Sequence, residues 1–262
     1  MRKRKILAAA VLLLALVGVG FAQRLRVPRE AFPFREDEDQ PMPADAGEKT
    51  EFAFARLQYP NWRSNDRMWS MRGAWSIDYP KADRQFVQGV RRLTRLHVRS
   101  VEQVVNLDSD DIMNFPWAYV VEAGHWDLKD SQVVKLREYL LKGGFAIFDD
   151  FRMQEWSYFE EAMRKVLPDA KFIDLTPAHP IYHTYFDIDD FEIVKQYYDP
   201  GRPIFRAVFE DNDPKKRMLC MINYNTDISE FWEWSPSGFK PISESNEAYQ
   251  IGVNWIIYGM TR

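Results

Sequence analysis

A chain of 262 residues, 46% hydrophobic, is long enough to bury a full core within one large domain. Its net charge of −4 and the lack of a long basic patch exclude nucleic acid as a partner, and a single cysteine, Cys220, excludes an intrachain disulfide. Nine Trp within an aromatic share of 15% serve cores and binding clefts alike, so they favour neither.

The chain begins with the basic MRKRK and the unbroken apolar run ILAAAVLLLALVGVGF. As a helix, Ile6 to Phe21 rises only about 24 Å, short of a comfortable bilayer span. Gly20 and Ala22 place small residues where a signal peptidase reads. Residues 1–22 are therefore read as a signal peptide cleaved after Ala22, with a retained anchor as the alternative. In both cases the rest is expected to be exported, to the periplasm or the outer face of the cytoplasmic membrane. A membrane is met only through this segment, if it stays. No Cys follows the run, so lipid attachment through an N-terminal Cys is not expected. Residues 23–50 read as a disordered linker, with Pro28, Pro33, Pro41, Pro43 and the acidic REDEDQ. The folded domain is expected over 51–262.

Within it, strand-like and helix-like segments alternate. EFAFARLQY predicts a first strand, and KADRQFVQGVRRLTRL a helix with Phe86, Val90, Leu93 and Leu96 on one face. SVEQVVNL and WAYVVEAG predict strands. DSQVVKLREYLLKGG predicts a helix with the stripe Val133, Leu136 and Leu140, closed by Gly143 in a left-handed cap. FAIF is all apolar, as expected of a parallel strand covered on both faces. EWSYFEEAMRKVL predicts a helix using Trp156, Phe159, Met163 and Val166, stopped by Pro168, and KFIDL a further strand. PIFRAVFE, the turn DNDPKK and RMLCMINYN predict an antiparallel hairpin. SNEAYQIGVNWIIYGM closes the chain as a helix capped by Ser245. The alternation predicts a doubly wound α/β fold, a mostly parallel sheet with helices on both faces and a C-terminal antiparallel hairpin.

In an open parallel sheet, ligands sit beyond the carboxyl ends of the strands. After WAYVVEAG come His125 and Asp127, with Glu122 just inside; after FAIF come Asp149 and Asp150. The two acids are either a solvated strand end or part of a site, and successive residues of an extended strand point to opposite faces. TPAHPIYHTYFDIDD holds His179 and His183 four apart with Asp187 nearby. A divalent metal at His125, His179 or His183 has ligands available, but H-x-x-x-H alone is weak, and local hydrogen bonds fixing a proline-bounded loop account for both histidines more simply. The intervening Glu of a helical zinc protease is missing. NYNTDISEFWEWS, with Asn223, Asn225, Asp227, Glu230, Trp232, Glu233 and Trp234, fits a polar-ligand site or a surface loop with two anchoring tryptophans. YPNWRSNDRMWSMRGAW interleaves Trp62, Trp69 and Trp75 with Arg63, Arg67 and Arg72; packing across the sheet is the plainer account, stacking on a partner the other. Cys220 sits in an apolar strand as a small buried hydrophobe. There is no G-x-S-x-G elbow, Walker loop, G-x-G-x-x-G or C-x-x-C, so acyl transfer, NTP hydrolysis and dinucleotide redox lose their usual support.

The ordered blocks FARLQYP, YPKADRQF, YLLKGGFAIFDDF, HPIYHTYFDI, NYNTDISEFWEW and IGVNWIIYGMTR, spanning Phe52 to Arg262, resemble the bacterial envelope family called domain of unknown function 4159. The resemblance implies a flavodoxin-like sheet similar to class I glutamine amidotransferases and implies no established reaction. An amidotransferase-like domain presents a nucleophilic Cys at a strand-to-helix turn; beside FAIF stand Asp149 and Asp150 and no Cys, so glutaminase chemistry is not expected. The reading is an exported module binding a small polar ligand or an envelope partner through His125, Asp149, Asp150, His179, His183 and Asp227, with the absence of any cofactor favoured over the presence of a divalent metal. The alternative is a periplasmic hydrolase, metal-assisted or using an Asp base with a His acid. A third reading is a scaffold docking through the Trp–Arg loop.

Overall fold

The computed structural model describes residues 42–61, 73–195 and 201–261. The expected signal segment, most of the expected linker, and Trp62, Arg63, Arg67, Trp69 and Arg72 lie outside the described residues. Residues 42–50, expected as linker, are tied down. The Ser100 N–H donates to Asp45 Oδ2 at 2.9 Å, and Arg99 Nη1 donates to the Ala46 carbonyl at 2.9 Å.

Seven strands form one sheet among the described residues: β1 (Ala55–Gln58), β2 (Gln103–Asn106), β3 (Trp117–Val121), β4 (Phe145–Phe151), β5 (Ile173–Asp174), β6 (Ile204–Phe209) and β7 (Met218–Tyr224). Their order is β2-β1-β3-β4-β7-β6-β5. The first five strands in that order are parallel, and β6 and β5 add antiparallel. The mixed α/β class and the antiparallel addition follow the sequence reading. KFIDL departs from it, since only Ile173–Asp174 pair, antiparallel, at the sheet edge.

Pleating sorts the apolar residues into two layers. Trp117, Tyr119 and Val121 of β3, with Phe145 and Ile147 of β4, face one core, while Ala118, Val120, Ala146 and Phe148 face the other. The first core is covered by α1 (Lys81–Leu93), α4 (Ile228–Glu233) and α5 (Ile242–Thr261), the second by α2 (Asp130–Leu141) and α3 (Glu155–Val166). Phe86 of α1 stacks on Trp232 of α4 at 4.0 Å between ring centroids. Gly252 admits α5 to this junction, because a Cβ there would stand 2.5 Å from Phe86 and 2.9 Å from Trp232. Among the described residues no helix is long and apolar enough to cross a membrane.

Two helix boundaries and one whole helix differ from the sequence reading. α1 ends at Leu93 because Thr94 turns extended and its hydroxyl donates to the Val90 carbonyl at 2.8 Å. That leaves Leu93 exposed and Leu96 outside the helix. α5 begins at Ile242, so Ser245 lies in the first turn, where its N–H donates to the Pro241 carbonyl. ISEFWE, within the stretch read as either a polar-ligand site or a surface loop, is the buried helix α4, with Trp232 fully enclosed.

One ion pair crosses the first core. Arg56 of β1 and Asp83 of α1 are both fully buried and joined by two hydrogen bonds, one of them Nε to Oδ2 at 3.0 Å. The guanidinium also lies 5.2 Å from the Tyr119 ring centroid. Burial pushes the Asp83 carboxyl up to about 6 even against the pull of Arg56. Removing one partner of such a pair strands the other charge in a low-dielectric interior. Asp83→Ala is expected to lower the unfolding free energy by about 3–5 kcal/mol, measured by denaturant titration. A loss below about 1 kcal/mol would show that Arg56 finds solvent or another acid in its place.

Candidate functional site

The strand carrying the paired acids does not stop at Phe148. β4 continues through Phe151, and both acids are buried inside it. Asp149 follows the regular pleat and points into the first core. There it accepts hydrogen bonds from the Tyr119 hydroxyl, from Asn223 Nδ2 at 2.8 Å, and from the N–H groups of Ile228 at 2.9 Å and Ser229 at 3.1 Å. Four donors on one carboxylate bind β3, β7 and the start of α4 to β4. Burial raises its pKa, the four donors oppose this, and the balance stays above the usual carboxylate range.

Asp150 is turned away by a bulge. Its φ of 61° is left-handed, and the pairing with β7 slips between Phe148 and Phe151, which re-phases Phe151 into the same core as Phe148. The Asp150 side chain accepts from Arg152 Nη2 at 2.7 Å, and the Glu122 carboxyl is near enough to raise its pKa. Burial, then the charges of Asp227 and Glu122, raise its pKa well above normal, against the pull of Arg152.

Glu122 ends β3 with a φ of 54°, and a 3-10 turn over Ala123–His125 follows. Tyr59, just beyond β1, points its hydroxyl at the carbonyls of Val121 (2.7 Å) and Glu122 (2.8 Å). The Asp127 N–H donates to the Pro60 carbonyl at 2.7 Å, and Asn61 bridges to Trp126. These contacts pin His125 over the end of the sheet. Gly124 lets the turn close onto the first turn of α3, since a Cβ there would come within 2.6 Å of Glu155 Cβ. His125 Nε2 thereby reaches Glu155 Oε1 at 3.1 Å and Glu122 Oε2 at 3.4 Å. Burial works against a charged His125, but Glu155 and Glu122 outweigh it and raise its pKa. Glu122 is pushed up to about 7, mainly by burial. His125, Glu155 and Arg152 remain partly exposed, so solvent reaches this corner.

A second acidic group lies over the first core. Asp227 caps α4 by accepting from the Glu230 N–H at 2.9 Å, and the Ser229 hydroxyl donates to Asp78 at 2.8 Å. Glu230 pairs with buried Lys240 at 2.6 Å, and Lys81 lies 3.9 Å from Glu233. Burial and the charge of Glu233 push Asp78 up to about 8, and burial pushes Glu233 up to about 7. Asp227 sits well above its usual value through burial and the charges of Asp78 and Glu230.

The structure thus gathers His125, Asp149, Asp150 and Asp227 at the carboxyl edge. His179 and His183 are elsewhere. His179 caps the turn Pro180–His183 by accepting from the Ile181 N–H through Nδ1, and its ring lies 5.9 Å from those of Phe209 and Tyr258, beside the amino end of β4. His183 bonds Asp187 at 2.9 Å and the Pro177 carbonyl at 2.8 Å within its own loop. Cys220 is fully buried in mid-β7, where burial pushes its thiol up to about 12. Trp75 packs against Tyr79 at 5.4 Å and joins the second core.

Sequence reasoning missed Tyr119, Asp78, Arg152 and Glu155. Arg152 and Glu155 had a usable signal, a cation two residues after the paired acids and an acid opening the next helix. Tyr119 and Asp78 had none, since only the pleat and the α4 contact bring them in.

Residues 53–260 match the family described as Domain of unknown function (DUF4159), and the chain belongs to that family. No curated protein matches it.

Asp149 and Asp150 are expected to respond differently to substitution. Asp149→Ala leaves four buried donors without an acceptor and should cost about 3–5 kcal/mol of stability. Asp150→Asn keeps the side chain's shape and its acceptor for Arg152 while removing a charge that burial disfavours, and should cost about 1 kcal/mol or less. Equal losses in denaturant titration would contradict the separation of roles. The acidic group also sets a pH dependence. Asp78 and Glu233 bind protons more tightly in the folded chain than their unfolded values near 4 allow. Stability is therefore full at low pH and falls as pH rises through about 7 to 8. Denaturation midpoints at about pH 5.5 and about pH 8.5 should show that fall, and Asp78→Asn should reduce it; a wild-type profile that rises over this range would reverse the assignment.

Proposed function

We propose that this member of the DUF4159 family is an exported ligand-binding module of the bacterial cell envelope, on a flavodoxin-like, class I amidotransferase-like sheet without amidotransferase chemistry. The order of the parallel strands, β2-β1-β3-β4-β7, supports the fold assignment, because flavodoxin-like sheets run 2-1-3-4-5. The basic-then-apolar start of the chain supports export.

The observation that carries the binding role is the division of the carboxyl edge. Asp149 and Asp227 are engaged in holding α4, and Cys220 is enclosed in the sheet with its thiol kept protonated. What solvent reaches is the corner of Glu122, His125, Arg152 and Glu155, at the carboxyl ends of β3 and β4. Its side chains offer hydrogen-bonding and charged groups to a small polar solute.

Purified full-length chain is expected to release no ammonia from glutamine. Small polar solutes that raise its melting temperature should lose that effect in His125→Ala. A phosphatase reporter that is active only outside the cytoplasm, fused after Arg262, should be active and should fall silent when residues 6–21 are deleted. Ammonia release abolished by Cys220→Ala would reject the non-amidotransferase assignment. Thermal shifts indifferent to His125 would move the site elsewhere, and a silent full-length fusion would reject export.

A further inference from the structure

We propose that Glu122, His125 and Glu155 form a binding site for a divalent cation of the zinc type. This rests on reading the carboxyl-edge corner as a ligand site, and it names the ligand.

Three features carry it. The first is the donor set. One ligand atom from each residue lies within 4.8 Å of the other two, with His125 Nε2 3.1 Å from Glu155 Oε1 and 3.4 Å from Glu122 Oε2. Ligands held at roughly 2.0–2.2 Å around one tetrahedral ion stand about 3.3–3.6 Å apart, so the 3.4 Å pair already has that spacing and the 3.1 Å pair needs to open by only a few tenths of an ångström. One imidazole and two carboxylates form a three-ligand set of borderline softness that leaves positions for water or a substrate.

The second is an unanswered atom. Glu122 Oε2 is buried and accepts no hydrogen bond, although the side chain is only 4% exposed and faces His125. A buried carboxylate oxygen without a donor is costly, and a cation between it and the imidazole would satisfy it.

The third is how the opposite oxygens are used. Arg152 Nη2 lies 3.8 Å from Glu122 Oε1, Arg152 Nε lies 3.8 Å from Glu155 Oε2, and the Arg152 N–H donates to that same Oε2 at 2.8 Å. Each glutamate gives one oxygen to Arg152 and turns the other toward His125. Outer contacts of this kind orient metal-binding carboxylates. The charge of Arg152 is itself met by Asp150 at 2.7 Å. The backbone is strained in the same place, with Glu122, Asp150 and Met153 all left-handed, and such strain persists where the surroundings impose it.

The test is calorimetric titration of chelator-stripped full-length chain with zinc chloride, repeated with His125→Ala, Glu155→Gln and, as a control on a separate loop, His183→Ala. One equivalent of zinc should bind, weakened at least about 10-fold in the first two variants and unchanged in the third. Near-UV circular dichroism establishes that each variant is folded; if His125→Ala is not, His125→Gln carries the same comparison. Absence of saturable binding overturns the proposal, as does binding that survives both His125→Ala and Glu155→Gln, which marks an adventitious ion only. A stripped chain that takes no zinc but still shows His125-dependent thermal shifts with polar solutes overturns the metal and leaves the ligand site standing. Loss of both responses overturns both.

Discussion

The carboxylate of Asp149 is the point on which the upper half of this structure depends. A carboxylate with no exposure is tolerated only when its oxygens are saturated, and here four donors do so. The donors come from three parts of the chain's order. Tyr119 sits in β3, Asn223 in β7, and Ile228 and Ser229 open α4. Strand spacing is already set by the backbone ladders, so the added constraint is the position of α4. A six-residue helix is too short to hold itself together. It is held by the acid at its amino end and by Phe231 and Trp232 buried beneath it. Trp232 in turn stacks on Phe86 and meets Trp255, so α1 and α5 take their seats from a helix that Asp149 anchors.

Around that anchor the carboxyl edge is crowded with acid. Asp78, Asp150, Asp227 and Glu233 have pKa values raised by burial and by neighbouring acids within the group, and Glu122 has one raised by burial and by Glu155. The cations present are each matched locally: Lys240 to Glu230, Lys81 to Glu233, Arg152 to Asp150. Five non-glycine residues in this region, Asp78, Glu122, Asp150, Met153 and Asn225, also adopt left-handed backbone, at a cost on the order of 1 kcal/mol each. Crowded acids and strained backbone at one edge of an otherwise regular sheet mark it as the part shaped by something other than stability.

The sheet was readable from the sequence because its signal is local. WAYVV, FAIF and MLCMI are apolar without interruption, and the helices between them carry stripes such as Val133, Leu136 and Leu140, so the pattern reports burial on both faces directly. Two kinds of feature were not readable. KFIDL has the composition of a strand, yet its pairing depends on where β6 ends up, a long-range outcome that puts only two residues in the ladder. The short helix α4 reads as a polar site or a surface loop because Asp227, Glu230 and Glu233 interrupt its apolar residues, and the lysines that pair with the two glutamates, Lys240 and Lys81, are distant in sequence or unsignalled. The candidate site divides in the same way. His125 and the acid pair are visible as polar residues closing apolar strands. His179 and His183 look equally promising by spacing, but one caps a turn near the amino end of the sheet and the other is closed on its own loop.

The adjacent acids owe their separate fates to one backbone dihedral. In an unbroken strand Asp149 and Asp150 would face opposite cores, and Phe151 would follow Asp149 into the first. The left-handed turn at Asp150 delivers Phe151 to the second core, among Phe148 and Phe159, and leaves the Asp150 carboxyl at the rim against Arg152 and Glu122. Without the bulge, an acid would be driven into an apolar layer and an aromatic ring out of one. Asp tolerates left-handed backbone better than most residues, so one side chain both permits the bulge and occupies the position it creates. That position links the anchored half of the edge to its solvent-reachable half. Arg152, held by Asp150, spans the back of Glu122 and Glu155 and turns their remaining oxygens toward His125. The geometry of the open corner is therefore a consequence of the same strand irregularity that completes the core beneath it.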